Sequence, residues 1–205
     1  MATSSKSEDR RIQRTRQLLR QASIDVMQKK GFRATSIQEI AERANVSRGT
    51  FYAHFVDKYA LLESLVREEF QNLISPFPPL SQWNKKTLHL LIRLVLENFR
   101  DVQRQCHPLG AIDPFIERIF QEELARLLLT WLKHKRRGEA RGTVPMEIMA
   151  QTMSWAILGV ALQWSLEPAT MSSEQMAEHV LLTLMEGVAH LVPDVLTPSM
   201  SVSPL

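Results

Sequence analysis

Four consecutive residues, Ser47, Arg48, Gly49 and Thr50, combine hydrogen-bonding side chains with a position that has no side chain. An arginine can donate two parallel hydrogen bonds to the edge of a guanine, and a threonine can contact a thymine methyl group or a phosphate. A glycine between them lets a backbone approach closely. These residue types in this order predict a surface that reads base edges in a groove of duplex DNA, with Arg48 as the candidate for a base contact.

Two short helices are predicted to position these side chains. Ser36, followed three residues later by a glutamate, has the spacing of a capping box and predicts a helix over residues 37–44. Asn45 tolerates a positive φ better than other non-glycine residues and predicts a tight corner after that helix. Ser47 can cap a following helix over residues 48–55. Two short helices joined by a turn of this length form a helix-turn-helix.

The residues around this corner also form a pattern of fixed spacing. Its core is Ile-Ala…Val-Ser-x-Gly-Thr-x-Tyr-x-His-Phe-x-x-Lys, which begins at Ile40 and ends at Lys58. In residue type and spacing the pattern strongly resembles the tetracycline-repressor (TetR) family of bacterial regulators, and the resemblance extends over residues 14–70. One departure is Asn45, where the family usually has glycine, and the tolerance of asparagine for positive φ makes that replacement harmless.

The resemblance implies an all-α fold with an N-terminal three-helix helix-turn-helix DNA-binding domain, followed by a helical ligand-binding and dimerisation domain, about nine helices in total. It implies a homodimer that binds a palindromic operator as a repressor and is released by a small molecule. DNA contacts are predicted at Thr35, Ser36, Gln38, Ser47, Arg48, Gly49, Thr50, Tyr52, His54 and Lys58.

Several of these residues also have an interpretation that involves no DNA. Thr35 and Ser36 can simply cap a helix, as hydroxyl side chains often do. Tyr52 can pack partly in the core with its polar end outward, and His54 can pack under the turn. For Arg48 the alternative is weak, because an exposed arginine near the start of a recognition helix has little structural purpose.

The prolines that follow Ser75 predict a change of layer, because proline cannot continue the hydrogen-bond ladder of the helix that Asp57 is expected to cap. Beyond them the apolar spacing predicts helices over 82–105, 114–119, 120–135, 145–166 and 172–191. The expected organisation is a flexible arm (1–10), the helix-turn-helix domain (11–70), an effector-binding and dimerisation domain (71–192) and a loose C-terminal tail (193–205).

The second domain is predicted to hold an effector pocket and a dimer interface. Large apolar side chains are the pocket candidates, although such a stripe is also typical of an ordinary core: Trp83, Leu91, Phe99, Phe115, Trp131, Met153 and Trp155. The helix up to Leu166 is apolar almost all round, which favours burial against a second copy of the chain. The candidate interface residues are Ala156, Gly159, Val160, Trp164, Val180, Leu181, Leu184, Met185 and Val188.

Charge is distributed unevenly along the chain. Residues 1–50 hold 11 Lys and Arg against 5 Asp and Glu, whereas the remainder holds 14 against 17. A basic N-terminal part on a slightly acidic body favours a polyanion partner for that part alone. The single cysteine, Cys106, fits a reducing cytoplasm, and no Cys/His spacing around it completes a metal site, so neither a metal nor a cofactor is predicted.

Other function classes are weighed against this prediction. The uncharged stretch Ile148–Leu166 contains five polar residues that are costly in lipid, which argues against a membrane partner. A helical enzyme would need convergent acid, base or metal groups, and no such cluster is visible. A helix-bundle interaction protein would leave Arg48-Gly49-Thr50 unexplained. A regulator that activates transcription, or that senses no small molecule, remains open.

Overall fold

The computed structural model describes residues 2–106, 113–135, 144–166 and 171–186. Every regular element in these ranges is helical, which confirms the predicted all-α class. The elements follow in the order α1 (Ala2–Ala34), α2 (Ile37–Arg43), α3 (Arg48–Tyr52), α4 (Lys58–Ile74), a short 3-10 helix (Leu80–Gln82), α5 (Lys85–Cys106), α6 (Pro114–Lys135), α7 (Met146–Leu166) and α8 (Ser173–Glu186).

Helix α3 ends at Tyr52, three residues earlier than predicted, and α5 begins at Lys85 after a short 3-10 helix. Two further differences are larger. The segment 1–10, predicted as a flexible arm, is helical from Ala2, because no glycine or proline interrupts the chain before Gly31. Gly31 itself has φ 79° and ψ 162° and kinks the end of α1. The two helices predicted over 114–119 and 120–135 form one continuous α6, since no helix breaker separates them.

The chain divides into two compact units, and α5 and α6 each contribute to both. The N-terminal unit holds the residues up to Pro76 together with Asp101–Leu124, and the second unit holds Phe77–Arg100 and the chain from Ala125 onward. Two contacts tie α6 to α4 within the N-terminal unit. The rings of Phe70 and Phe120 meet edge to face at 5.2 Å, and Arg67 forms an ion pair with the nearly buried Glu123.

The core of the N-terminal unit fixes the angle between α2 and α3. Its buried members are Leu19, Ala22, Ile40, Ala44, Phe51, Phe55 and Leu61, with Ile37 and Val46 packed against them. Asn45 has φ 54°, as its place at the corner predicted, and the next residue donates its N–H to the Ala41 carbonyl at 2.9 Å. The backbone N–H groups of both Asn45 and Val46 therefore have carbonyl partners in the turn between α2 and α3.

Side-chain caps set the beginnings of the three helices that follow α1. The Ser36 hydroxyl accepts the N–H of Glu39, whose carboxylate accepts the Ser36 N–H, which confirms the capping box. Ser47 accepts the Thr50 N–H at 3.0 Å, and Asp57 accepts the Ala60 N–H at 2.7 Å. Each cap satisfies a donor that the first helical turn leaves without a partner.

The second unit has its own core, in which tryptophans are prominent. Trp83 is buried, donates its indole N–H to the Pro78 carbonyl at 2.9 Å and lies 6.5 Å from the ring of Trp131. The guanidinium of Arg100 stacks on the ring of Trp164 and donates to its carbonyl at 3.0 Å. The indole rings of Trp83 and Trp164 are thus held by contacts within the second unit.

Candidate nucleic-acid interface

Helix α3 is held by one buried side chain and presents its opposite face to solvent. Phe51 is fully buried, whereas Arg48 and Gly49 are exposed on the first turn. Arg48 forms no ion pair or hydrogen bond with any other residue that the structure describes. One side of α3 is fixed by Phe51, and the Arg48 guanidinium on the other side has no partner among the described residues. Such a helix can enter a DNA groove without breaking contacts within the protein.

The conformation of the chain itself does not require a glycine at position 49. A Cβ placed on Gly49 would meet only the Ser47 hydroxyl, at 3.6 Å, which is an ordinary van der Waals distance. The φ of Gly49 is not positive, in contrast to that of Gly31. The fold of the chain therefore does not explain why position 49 has no side chain.

The residues predicted at the start of α2 fall into different environments. Thr35 is only 2% exposed, and its hydroxyl donates to the Gly31 carbonyl at 2.8 Å. The Thr35 side chain is therefore buried and hydrogen-bonded within the protein, whereas the sequence predicted that it contacts DNA. Ser36 is exposed but occupied as a cap, and Gln38 is exposed with its amide on Glu42 at 2.9 Å.

Lys58 opens α4 and is engaged by backbone. Its ammonium donates to the carbonyl oxygens of Phe32, Arg33 and Thr35 at 3.2, 3.1 and 2.9 Å. The same nitrogen lies 4.8 Å from the ring centre of Phe32 and 5.8 Å from that of Tyr59. An ammonium has three donors, and all three are used here, so Lys58 links α4 to the end of α1 and has no donor free for the predicted phosphate contact.

Helices α2, α3 and α4 surround an open depression of about 550 Å³. We call it the α2–α4 depression; its lining is Thr35, Ser36, Ile37, Gln38, Arg48, Tyr52, Asp57, Lys58 and Tyr59. Six of the ten residues predicted to contact DNA therefore share one surface. The other four, Ser47, Gly49, Thr50 and His54, lie on or beside α3.

Tyr52 and His54 differ in exposure. Tyr52 is 48% exposed, and its ring centre lies 5.6 Å from that of Phe51 at an interplanar angle of 84°; this exposure favours a surface role over a core role. His54 is half-buried, and its backbone N–H donates to the Phe51 carbonyl. Thr50 is half-buried, with its hydroxyl 2.9 Å from that of Ser47.

An ion pair strengthens the cap beside the depression. The Lys30 ammonium and then the Ser36 hydroxyl and N–H donate to the Glu39 carboxylate, and together they lower its pKa from 4.5 to about 2. Arg43, at the end of α2, pairs with Asp25 of α1, whose pKa is lowered first by its hydrogen bond from Gln21 and then by Arg43. Both ends of α2 are thus tied to α1 by charge.

Two residues beside the predicted set were missed from sequence. Tyr59 lines the depression and meets the Phe32 ring edge to face at 5.1 Å. The Arg16 guanidinium lies 5.3 Å from the ring centre of Phe55, just after α3. Adjacency to Lys58 was a signal for Tyr59, whereas nothing in the local spacing indicates the contact of Arg16.

The predicted pocket residues do not form one set. Trp83, Leu91, Phe99 and Trp131 are buried in the second unit, and Met153 is half-buried. Trp155 is 51% exposed on α7, so its side chain faces outward, and Phe115 packs on Phe32 and Tyr59 in the N-terminal unit. Both are corrections to the predicted grouping.

The predicted dimer residues also divide by exposure. Trp164, Val180 and Leu181 are buried within the chain, so they do not form an outer face. Ala156, Val160 and Leu184 are half-buried, Gly159 and Met185 are exposed, and Val188 lies outside the described residues. The exposed face of α7 instead carries Ile148, Trp155, Gly159 and Leu166.

Within the described ranges, no three His, Cys, Asp or Glu side chains are grouped so that they could hold a metal ion. None of the described helices combines the length and the apolar run that crossing a lipid bilayer requires.

Comparison with protein families matches residues 19–65 to the model described as "Bacterial regulatory proteins, tetR family". An uncharacterised HTH-type transcriptional regulator of Bacillus subtilis, YxbF, is 32% identical over 81 residues, which are 39% of this chain and 21% of YxbF. The chain thus spans about a fifth of the length of that relative. The match to the HTH-type transcriptional repressor BepR of Brucella suis is 27% identical and covers 73% of this chain and 80% of BepR.

A third relative is the dhaKLM operon transcriptional activator DhaS of Lactococcus lactis, 30% identical over 41% of this chain and 44% of its own length. Among solved structures, a TetR transcriptional regulator of Streptococcus agalactiae superposes with a TM-score of 0.63 at 21% identity, over 88% of this chain and 98% of that one. A TetR-family repressor, FadR of Thermus thermophilus in complex with lauroyl-CoA, has a TM-score of 0.55 at 24% identity, over 93% and 99%. At these identities the structures establish the shared fold.

Proposed function

We propose that this chain, whose residues 19–65 match the TetR family model, is a transcriptional regulator of that family and binds operator DNA through α3. The observation that carries the proposal is the exposed Arg48–Gly49 tip on a capped, core-anchored helix. The Arg48 guanidinium has no partner among the described residues, and Gly49 beside it has no side chain that would keep the backbone at a distance from DNA. DNA also explains why the N-terminal part of the chain is basic.

We propose repression as the mode of action. The match to the repressor BepR extends through both units of the chain, whereas the match to the activator DhaS covers less than half of either protein. A protein that covers an operator blocks polymerase by occupancy alone, and no further activating surface needs to be invoked. Activation remains the second candidate because DhaS carries that name.

The active form is proposed to be a homodimer in the cytoplasm. Two recognition helices reach successive major grooves only when they are about 34 Å apart, which a two-fold dimer provides on a palindromic site. The face of α7 that carries Ile148, Trp155 and Leu166 is exposed in the single chain. Large apolar side chains on one outer face are the composition expected where a second copy packs.

The second unit is proposed to bind a small-molecule effector. Its interior is apolar and aromatic around Trp83 and Trp131, and the structurally similar FadR binds lauroyl-CoA. A ligand that binds the DNA-free conformation more tightly than the DNA-bound one lowers operator affinity by the ratio of its two affinities.

The test begins with selection of bound genomic fragments by the purified chain. The proposal expects one enriched inverted repeat, bound by two chains per duplex. Lauroyl-CoA is then used as the probe in a thermal-shift measurement and in release of the selected duplex. Enrichment without an inverted repeat would contradict the dimeric operator model, and absence of any enriched sequence would contradict specific DNA binding.

A further inference from the structure

The first turn of α6 is packed onto the DNA-binding part of the chain. The Phe115 ring stacks on that of Phe32 at 6.5 Å with an interplanar angle of 10°, and it meets the Tyr59 ring edge to face at 5.1 Å. Arg33 of α1 lies 3.3 Å from the carboxylate of Asp113, directly before α6. The residues from Asp101 to Leu124 belong to the same compact unit as α1–α4.

These contacts converge on the residue that ties α4 to the start of α2. Phe32 and Tyr59 are the two rings beside the Lys58 ammonium, at 4.8 and 5.8 Å. That ammonium donates to the carbonyl of Thr35, the residue before the α2 cap. A ring packed on both Phe32 and Tyr59 therefore restricts where these two rings, and with them the ammonium and its carbonyl partners, can lie.

We infer that Phe115 is a positioning residue for the DNA interface, acting through Phe32 and Tyr59 on Lys58 and the start of α2. The inference rests on the proposed function, because it concerns the shape of the α2–α4 depression that is to receive DNA. It assigns part of the interface to a residue well outside the family match at 19–65. Without the Phe115 ring, Phe32 and Tyr59 lose a shared aromatic neighbour. Their side chains can then adopt more rotamers beside Lys58.

The test uses two truncations on the same helix. Phe115→Ala removes the ring beside Phe32 and Tyr59, whereas Phe120→Ala removes a ring that packs on Phe70, about three helical turns along α4 from Lys58. Phe120 is buried and Phe115 only half-buried, so Phe120→Ala is the more destabilising of the two. Thermal unfolding identifies a temperature at which both variants are folded, and affinity for the duplex selected with the parent chain is measured there.

We expect Phe115→Ala to weaken duplex binding about tenfold, with Phe115→Tyr restoring most of the loss because the ring is kept. Phe120→Ala is expected to bind within about twofold of the parent despite its lower stability. In the double variant with Lys58→Met, the loss from Phe115→Ala is expected to shrink, because the two residues act on one element. If Phe115→Ala binds like the parent, or if the losses are additive, the inference is overturned. A parent chain that binds no duplex would instead overturn the proposed function.

Discussion

The ammonium nitrogen of Lys58 lies 2.9 Å from the carbonyl oxygen of Thr35, so that the first residue of α4 holds the backbone immediately before α2. Two further carbonyls, of Phe32 and Arg33, accept hydrogen bonds from the same nitrogen. Lys58→Met keeps most of the side-chain length but removes these donors. We expect a loss of about 1–3 kcal/mol in the free energy of unfolding, together with weaker binding to all DNA sequences alike.

The matched control for that substitution is Lys85→Met, an exposed lysine that likewise opens a helix. It should unfold within about 0.5 kcal/mol of the parent in a urea titration. If Lys58→Met were as stable as the parent and only its DNA affinity fell, the carbonyl contacts would carry no free energy and Lys58 would act as a phosphate ligand alone.

Gly49→Ala should lower the affinity for duplex DNA without lowering the stability of the folded chain. The new methyl group would meet only the Ser47 hydroxyl, at 3.6 Å, so we expect unchanged stability or a gain of up to about 1 kcal/mol. Duplex affinity should nevertheless fall, because the methyl group lies on the exposed tip. Gly31→Ala is the opposite control: its φ of +79° makes a side chain costly, and thermal unfolding should show a loss of about 1–2 kcal/mol.

The capping box should fail in acid. The pKa of Glu39 is lowered from 4.5 to about 2, chiefly by the Lys30 ammonium and then by Ser36, so its ionised form is favoured in the folded chain. The stabilisation is complete above about pH 4.5 and is lost as the pH falls toward 2. In chemical denaturation the stability gap between the parent and Glu39→Gln should close over this range. A gap that stays constant down to pH 2 would contradict the assignment.

Trp155→Glu should weaken self-association. The indole is 51% exposed on the outer face of α7, and a carboxylate in its place would be costly to bury against a second copy. We expect sedimentation velocity to show the parent as a dimer and the variant shifted toward monomer. Val56→Glu, at a position 79% exposed just before α4, serves as the control and should remain dimeric. Identical sedimentation of all three proteins would place the interface elsewhere.

Local features of this fold could be predicted from sequence because they depend on neighbouring residues alone. The capping box of Ser36, the cap at Ser47 and the positive φ at Asn45 each require only a few residues, and all three are confirmed. The continuous helix from Ala2 was missed because a Ser/Thr/Lys-rich composition suggested a loose arm, although no residue there breaks a helix.

Features that depend on distant residues could not be predicted in this way. Helix α7 is apolar almost all round, so its periodicity does not indicate which face lies inward. In the structure Trp164 is buried with the Arg100 guanidinium on its ring, whereas Trp155 faces solvent. In the same way, no local pattern shows that the Lys58 ammonium meets the carbonyl of Thr35, 23 positions earlier in the chain.

The most direct test of the central claim is the affinity of the parent and of Arg48→Ala for the selected duplex and for duplexes with single base-pair changes, measured by fluorescence anisotropy at one salt concentration. The exposed guanidinium at the tip of α3 predicts a loss of about 1–3 kcal/mol for Arg48→Ala on the selected duplex. It also predicts that discrimination disappears at one base pair per half-site while the other positions keep theirs. Equal affinity of both proteins for every duplex would contradict the account, since base reading would then lie outside α3.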